Sequence, residues 1–179
     1  MYMEEDVNQK GKRKMPKVLV VIGSDSDYTI MKDCIALLKR FEIEYDCIVC
    51  SAHRTPEKSR EIAKSAKRKG FDCIIAAAGK AAHLPGVIAA YTILPVIGVP
   101  IKSDAFDGMD ALLSIAQMPP GIPVATVAVN GSVNAAILAV QLMAVKYKGL
   151  EEKLKAYKQE LAEKVEKKNA QLQEVIKNG

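Results

Sequence analysis

Tryptophan is absent from this 179-residue chain, aromatic residues make up 5% of it, and it holds two histidines and four cysteines. So few rings leave no stacking platform for bases, and the net charge of +5 does not amount to a nucleic-acid surface. Half of the basic residues lie in the two tails, with Glu interleaved in the C-terminal one, so attraction of a small anionic substrate is the inference drawn. Long hydrophobic runs are missing as well: apolar residues come in runs of four to eight, short of the roughly 18–20 that a membrane-spanning helix requires. No membrane partner is expected. Residues 1–16 carry Lys10, Lys12, Arg13 and Lys14 without the apolar block of a secretory signal, and read as a disordered basic extension. Cys34, Cys47, Cys50 and Cys73 sit inside apolar segments, as reduced core thiols of a cytoplasmic protein do. Cys47 and Cys50 form a C-x-x-C, but positions three apart on a strand point to opposite faces and no second ligand pair exists, which favours core packing over a zinc or redox pair.

What is present is alternation. A Val-rich run from Lys17 to Ile22 ends at Gly23, and Ile30, Cys34, Leu37, Leu38 and Phe41 then recur at helical spacing, a strand followed by a helix. The pattern predicts further strands near 45–50, 72–77, 95–99 and 123–129, with helices near 56–69, 82–91, 109–117 and 132–147. Strands that read as continuous apolar runs between helices indicate a three-layer, doubly wound α/β domain with a parallel sheet covered on both faces. Chemistry in such sheets sits beyond the carboxyl ends of the strands. From Gly149 the composition turns Lys/Glu/Gln-rich, with Leu150, Leu154, Tyr157, Leu161, Val165, Leu172 and Ile176 in a narrow stripe, predicting a long C-terminal helix against a neighbouring subunit. The expected organisation is therefore a basic extension over 1–16, a catalytic domain over 17–147 and an inter-subunit helix over 148–179.

Three strand-to-helix loops carry chemistry-bearing residues. Gly23-Ser24-Asp25-Ser26-Asp27 offers close backbone approach, hydroxyls and helical N–H groups for phosphate, and carboxylates for ribose hydroxyls, although a Ser or Asp here also suits a helix cap. Ser51-Ala52-His53-Arg54-Thr55-Pro56 sets a proton carrier beside an always-charged anion clamp, with Thr55 as cap the structural alternative. Gly79-Lys80-Ala81-Ala82-His83-Leu84-Pro85-Gly86 is small enough to close over a flat ligand. Both histidines fall in these loops, which points to one shared site. Gln117 to Val124 is too Pro-rich for regular structure and too apolar for a free linker, and reads as a rigid wall. Asn134 reads as the cap of the following helix more than as a ligand residue.

In order and with compatible spacing, GSDSD at 23–27, SAHRTP at 51–56, AAHLPG at 81–86 and QMPPGIPVAT at 117–126 closely resemble the N(5)-carboxyaminoimidazole ribonucleotide mutase class of the aminoimidazole ribonucleotide carboxylase family of purine biosynthesis. The resemblance covers about residues 17–147. It implies a flavodoxin-like domain, an octamer with the C-terminal helix crossing subunits, a small ribonucleotide substrate, and no metal or organic cofactor. It also implies His53 as general acid/base, with Ser24, Asp27 and Arg54 binding the substrate and Ser51, Ala52, Gly79 and Leu84 lining the pocket; Ser26, Lys80 and His83 complete the candidate set. Lys80 stands where the family usually has a second glycine, and either meets the substrate carboxylate or projects to solvent. Ser103 to Gly108 looks closer to the sister class that carboxylates the free aminoimidazole with carbon dioxide, whereas His83 within AAHLPG is the mutase form. Direct carboxylation is thus the nearest alternative. A flavodoxin-like nucleotide-binding module is a remote one, because the first loop carries two carboxylates and no Trp is there to stack a flavin.

Overall fold

The computed structural model describes residues 15–178; the expected extension over 1–16 lies, but for its last two residues, outside them. The order of elements is β1 (Lys17–Ile22), a 3-10 turn (Asp25–Asp27), α1 (Tyr28–Arg40), β2 (Glu44–Val49), α2 (Pro56–Ala66), β3 (Cys73–Gly79) and α3 (Leu84–Tyr91). There follow β4 (Val96–Ile101), α4 (Met109–Ala116), β5 (Ala125–Thr126), α5 (Ser132–Ala144) and α6 (Gly149–Asn178). The described chain forms two compact units, one up to Ala139 and the other from Val140 onward.

The five strands make one parallel sheet, as the alternation predicts, in the order β2-β1-β3-β4-β5, the flavodoxin-like order that the resemblance implies. Valine and isoleucine stiffen β1 and β3 into extended backbone, and both strands are central, so successive residues point to opposite covered faces. Leu19, Val21, Ile74, Ala76 and Ala78 share one face with Ala63 and Ala66 of α2, Leu84 and Ile88 of α3, and Ala111 and Ile115 of α4. Fully burying a side chain such as Leu19 or Ile74 contributes about 1.5–3 kcal/mol. Small residues let the layers close: a β-carbon on Gly98 of β4 would lie 2.4 Å from Cγ2 of Ile115 and 2.9 Å from Cγ1 of Val124. The opposite residues Val18, Val20, Ile75 and Ala77 are equally buried, and right-handed crossovers put α1, with its buried Met31, Cys34, Ile35 and Leu38, over that face.

Two expectations are corrected at the edges. β2 is an edge strand whose residues are exposed or half-buried, so Cys47 is exposed while Cys50 is buried with its sulfur 3.2 Å from Oγ of Ser59. The strand geometry does separate the two thiols, but one of them is not core. All four cysteines are free, and burial pushes the Cys34 and Cys73 thiols up to about 12. The fifth strand keeps two residues, and Pro123, at the start of the expected run, has no N–H to donate. The chain pairs again only locally, where the Val127 N–H donates to the Gly98 carbonyl at 3.1 Å and that of Asn130 to the Pro100 carbonyl at 2.8 Å.

In the second unit, α6 is a 30-residue helix whose Lys155 pairs with Glu151 at 2.8 Å and Glu152 at 3.0 Å. Its apolar stripe stays open to solvent at Leu161 (43% exposed), Val165 (63%), Leu172 (55%) and Ile176 (62%). Among the described residues no helix is long and apolar enough to cross a membrane.

Candidate functional site

Parallel strands end at the same edge of a sheet, and the register aligns four of them: Ile22 pairs with Val49 and Ala77, and Gly79 with Ile101. The loops that follow therefore converge on one cavity of about 700 Å³, within the ordinary range for small-molecule sites. Every candidate residue lines it: Ser24, Ser26 and Asp27 from the first loop, Ser51, Ala52, His53 and Arg54 from the second, and Gly79, Lys80, His83 and Leu84 from the third. Ile101, Lys102, Ser103 and Asp104 line it too, from the loop after β4.

The first loop is held by its own polar groups. The Ser24 N–H donates to Oδ2 of Asp27 at 3.0 Å, the Ser24 hydroxyl oxygen accepts from the Ser26 N–H at 3.4 Å, and the Ser26 hydroxyl lies 2.9 Å from that of Ser24. Ser24 thus caps the turn and faces the cavity at once, so the cap and ligand readings are not exclusive here. Asp27 is 7% exposed, and burial raises its carboxyl above the usual 3.8 against the opposing pull of the Ser24 N–H and the Ser26 hydroxyl. An acid raised in the folded state is deprotonated first in the unfolded chain, so Asp27 subtracts stability as pH climbs above about 3.8. Melting of wild type and Asp27→Asn between pH 4 and 7 should therefore show the variant gaining relative to wild type as pH rises. A constant difference across that range would refute the shift.

In the second loop Ser51 and Thr55 tie the backbone into a tight turn. The Thr55 hydroxyl donates to the Ser51 carbonyl at 2.9 Å and accepts from the Ser51 N–H at 3.0 Å, while the Arg54 N–H donates to Oγ of Ser51 at 3.2 Å. Thr55 occupies the cap position of α2 but its side chain makes no cap bond, being spent on Ser51. The turn leaves His53 and Arg54 exposed, and no described residue partners the Arg54 side chain. Across the cavity, His83 stands at the head of α3 without capping it, and its Nδ1 lies 2.8 Å from Nε2 of His53 with the rings nearly perpendicular at 77°. At that distance one nitrogen donates and the other accepts, so the pair can hold and relay a proton. Among the described residues no group of three or more His, Cys, Asp or Glu converges as a metal site.

The loop after β4 is the part the sequence reading left out of the site. Lys102 there pairs with Asp107 at 2.8 Å, its N–H donates to Oδ1 of Asn130 at 2.9 Å, and the Ser103 hydroxyl donates to Asp110 at 3.3 Å. Two signals were available: this loop too leaves a strand's carboxyl end, and its Ser103–Gly108 segment resembles the sister class. The Pro-rich stretch does not line the cavity; its Met118 sulfur lies 2.9 Å from where a β-carbon on Gly86 would sit, bracing the start of α3. Asn134 is exposed in the first turn of α5 rather than capping it, because that helix already starts at Ser132.

A family profile described as AIR carboxylase matches residues 17–164. An N5-carboxyaminoimidazole ribonucleotide mutase of Pyrococcus abyssi is 56% identical over 147 residues, 82% of this chain and 84% of that protein. A phosphoribosylaminoimidazole carboxylase of Candida albicans is 52% identical over 131 residues, 73% of this chain but 23% of its own length. Among solved structures, PurE of Treponema denticola superposes with a TM-score of 0.78 at 31% identity, covering 88% of this chain and 98% of that one.

Proposed function

Since the chain belongs to the AIR carboxylase family, we propose that it converts N(5)-carboxyaminoimidazole ribonucleotide to 4-carboxy-5-aminoimidazole ribonucleotide in purine biosynthesis, as an isomerase. The observation that carries the mechanism is the His53–His83 contact of 2.8 Å inside a cavity bounded by four loops.

The carbamate N–C bond breaks as the exocyclic nitrogen takes a proton, releasing carbon dioxide and the aminoimidazole. The electron-rich ring carbon then attacks the same carbon dioxide, and the tetrahedral carbon gives up its proton to restore aromaticity. One proton enters and one leaves, so the reaction balances without a co-reactant. His53 supplies the first and accepts the second, and His83 holds the imidazole in place and shares the proton between steps. Confinement is the larger device: keeping carbon dioxide beside the ring replaces an entropic barrier of up to about 7–11 kcal/mol. Arg54 clamps phosphate through charge-assisted hydrogen bonds, and Ser24, Ser26 and Asp27 bind phosphate and ribose. Ser51, Ala52, Gly79 and Leu84 form the walls.

The test is product formation from the carbamate ribonucleotide without added bicarbonate. Formation from the free aminoimidazole ribonucleotide and bicarbonate alone would instead favour the carboxylase reading. The functional division into a catalytic domain over 17–147 and a helix over 148–179 belongs to the same proposal, as does a homo-octamer. The open stripe of Leu161, Val165, Leu172 and Ile176 supports the helix as subunit glue. Removing residues 150–179 is expected to reduce the particle mass in solution, and an unchanged mass would exclude the helix from assembly. Four free cysteines suit a reducing compartment, and a cytoplasmic location completes the reading.

A further inference from the structure

The mechanism leaves two cations of the site, Lys80 and Lys102, without a task. Lys80 lines the cavity and, among the described residues, its ammonium has no hydrogen-bond or ion-pair partner. Lys102, in contrast, is already paired with Asp107 at 2.8 Å. The backbone of Lys80 adds a second observation: φ is +56°, a left-handed conformation that glycine adopts freely and that costs a side-chain-bearing residue about 1 kcal/mol or more. A lysine kept in that conformation inside a ligand cavity bears its strain at a place where strain accompanies function.

We propose that Lys80 recognises the migrating carboxylate of the substrate and product. This rests on the reading above, in which the ligand has two anionic groups, a phosphate and a carboxylate, on different parts of the molecule. Two cations of the cavity have no partner among the described residues, Arg54 on the loop after β2 and Lys80 on the loop after β3. The ring carbon that His53 deprotonates bears the new carboxylate, so the carboxylate lies on the histidine side of the cavity. Lys80 shares its loop with His83, whose ring touches that of His53. Arg54 is left for the phosphate.

The consequence is selective. A cation that meets the carboxylate in both carbamate and product binds ground states alike, so it lowers KM more than it raises kcat. It also discriminates ligands that carry the carboxylate from the free aminoimidazole ribonucleotide, which has the same phosphate, ribose and ring. The experiment compares Lys80→Met, Lys80→Gly and Lys80→Arg with wild type, measuring dissociation constants for the carboxylated product and for the free aminoimidazole ribonucleotide, together with steady-state kinetics on the carbamate. The Met and Gly variants should bind the carboxylated product about tenfold more weakly, the scale of one charge-assisted hydrogen bond. Binding of the free aminoimidazole ribonucleotide should stay within about twofold, and Arg should restore most of the loss. Lys80→Gly relieves the left-handed backbone and should melt no lower than wild type, which separates lost recognition from lost folding. Equal weakening for both ligands would assign Lys80 to phosphate, and no weakening for either would leave it in solvent; each result overturns the proposal. Failure of the underlying reading is visible separately, as wild type that does not turn over the carbamate.

Discussion

Replacing His53 with asparagine should lower kcat by about three orders of magnitude, in the middle of the range for losing a positioned acid/base, while substrate binding changes less than about threefold. Asparagine keeps a polar side chain of similar reach but cannot carry the proton. The loop it sits on is held elsewhere, by the Ser51–Thr55 bonds of 2.9 and 3.0 Å, so the turn should survive the substitution. Single-turnover measurements locate the loss. Decarboxylation and the loss of the ring proton that follows carbon–carbon bond formation both need a proton moved at His53, and both should slow. Near-normal turnover by the variant would remove His53 from the chemistry and leave the His53–His83 contact a structural feature.

Arg54→Ala should act on the other parameter. The guanidinium faces the cavity without a described partner, and a substrate phosphate offers it the parallel hydrogen bonds that a planar fork makes best. Losing them should raise KM by about 30-fold, within the about 1.5–3 kcal/mol of a charged hydrogen bond, with kcat reduced less than about threefold. Arg54→Lys should recover part of the affinity, because it restores the charge without the fork. The raised KM should also depend less on ionic strength than the wild-type value. A drop confined to kcat would contradict the phosphate assignment and place Arg54 at the reacting carbon.

The elements written into short-range pattern were legible without coordinates. The Val-rich run over 17–22 is a central strand, and Ile30 to Phe41 at helical spacing is the face of α1, because both periods are properties of the local backbone. The candidate residues were legible for a related reason. A doubly wound sheet delivers every strand-to-helix loop to one edge, so an unusual residue in such a loop is near the others even though they lie far apart along the chain. The loop after β4 met the same criterion, but Ile101 to Asp104 hold no residue type that announces chemistry as loudly as histidine or arginine.

What local pattern could not supply was environment. Cys47 sits in an apolar run and is nevertheless exposed, because whether a strand is central or at the edge depends on strand order, a long-range property. The run over 123–129 reads as a full strand and keeps two residues, since pairing also depends on donors that Pro123 in the run and Pro100 on the facing strand lack.

Read alone, the chain of residues determined an α/β architecture, the loops that bear the site and the two histidines within them, because hydrophobic period and residue chemistry are local. Tertiary structure decided that the imidazoles meet at 2.8 Å, that Asp27 is buried and its acid raised, and that Lys80 lines the cavity with no partner among the described residues. Each of these depends on distances between segments tens of residues apart, which are set only when the parallel strands fall into register and bring their ends together.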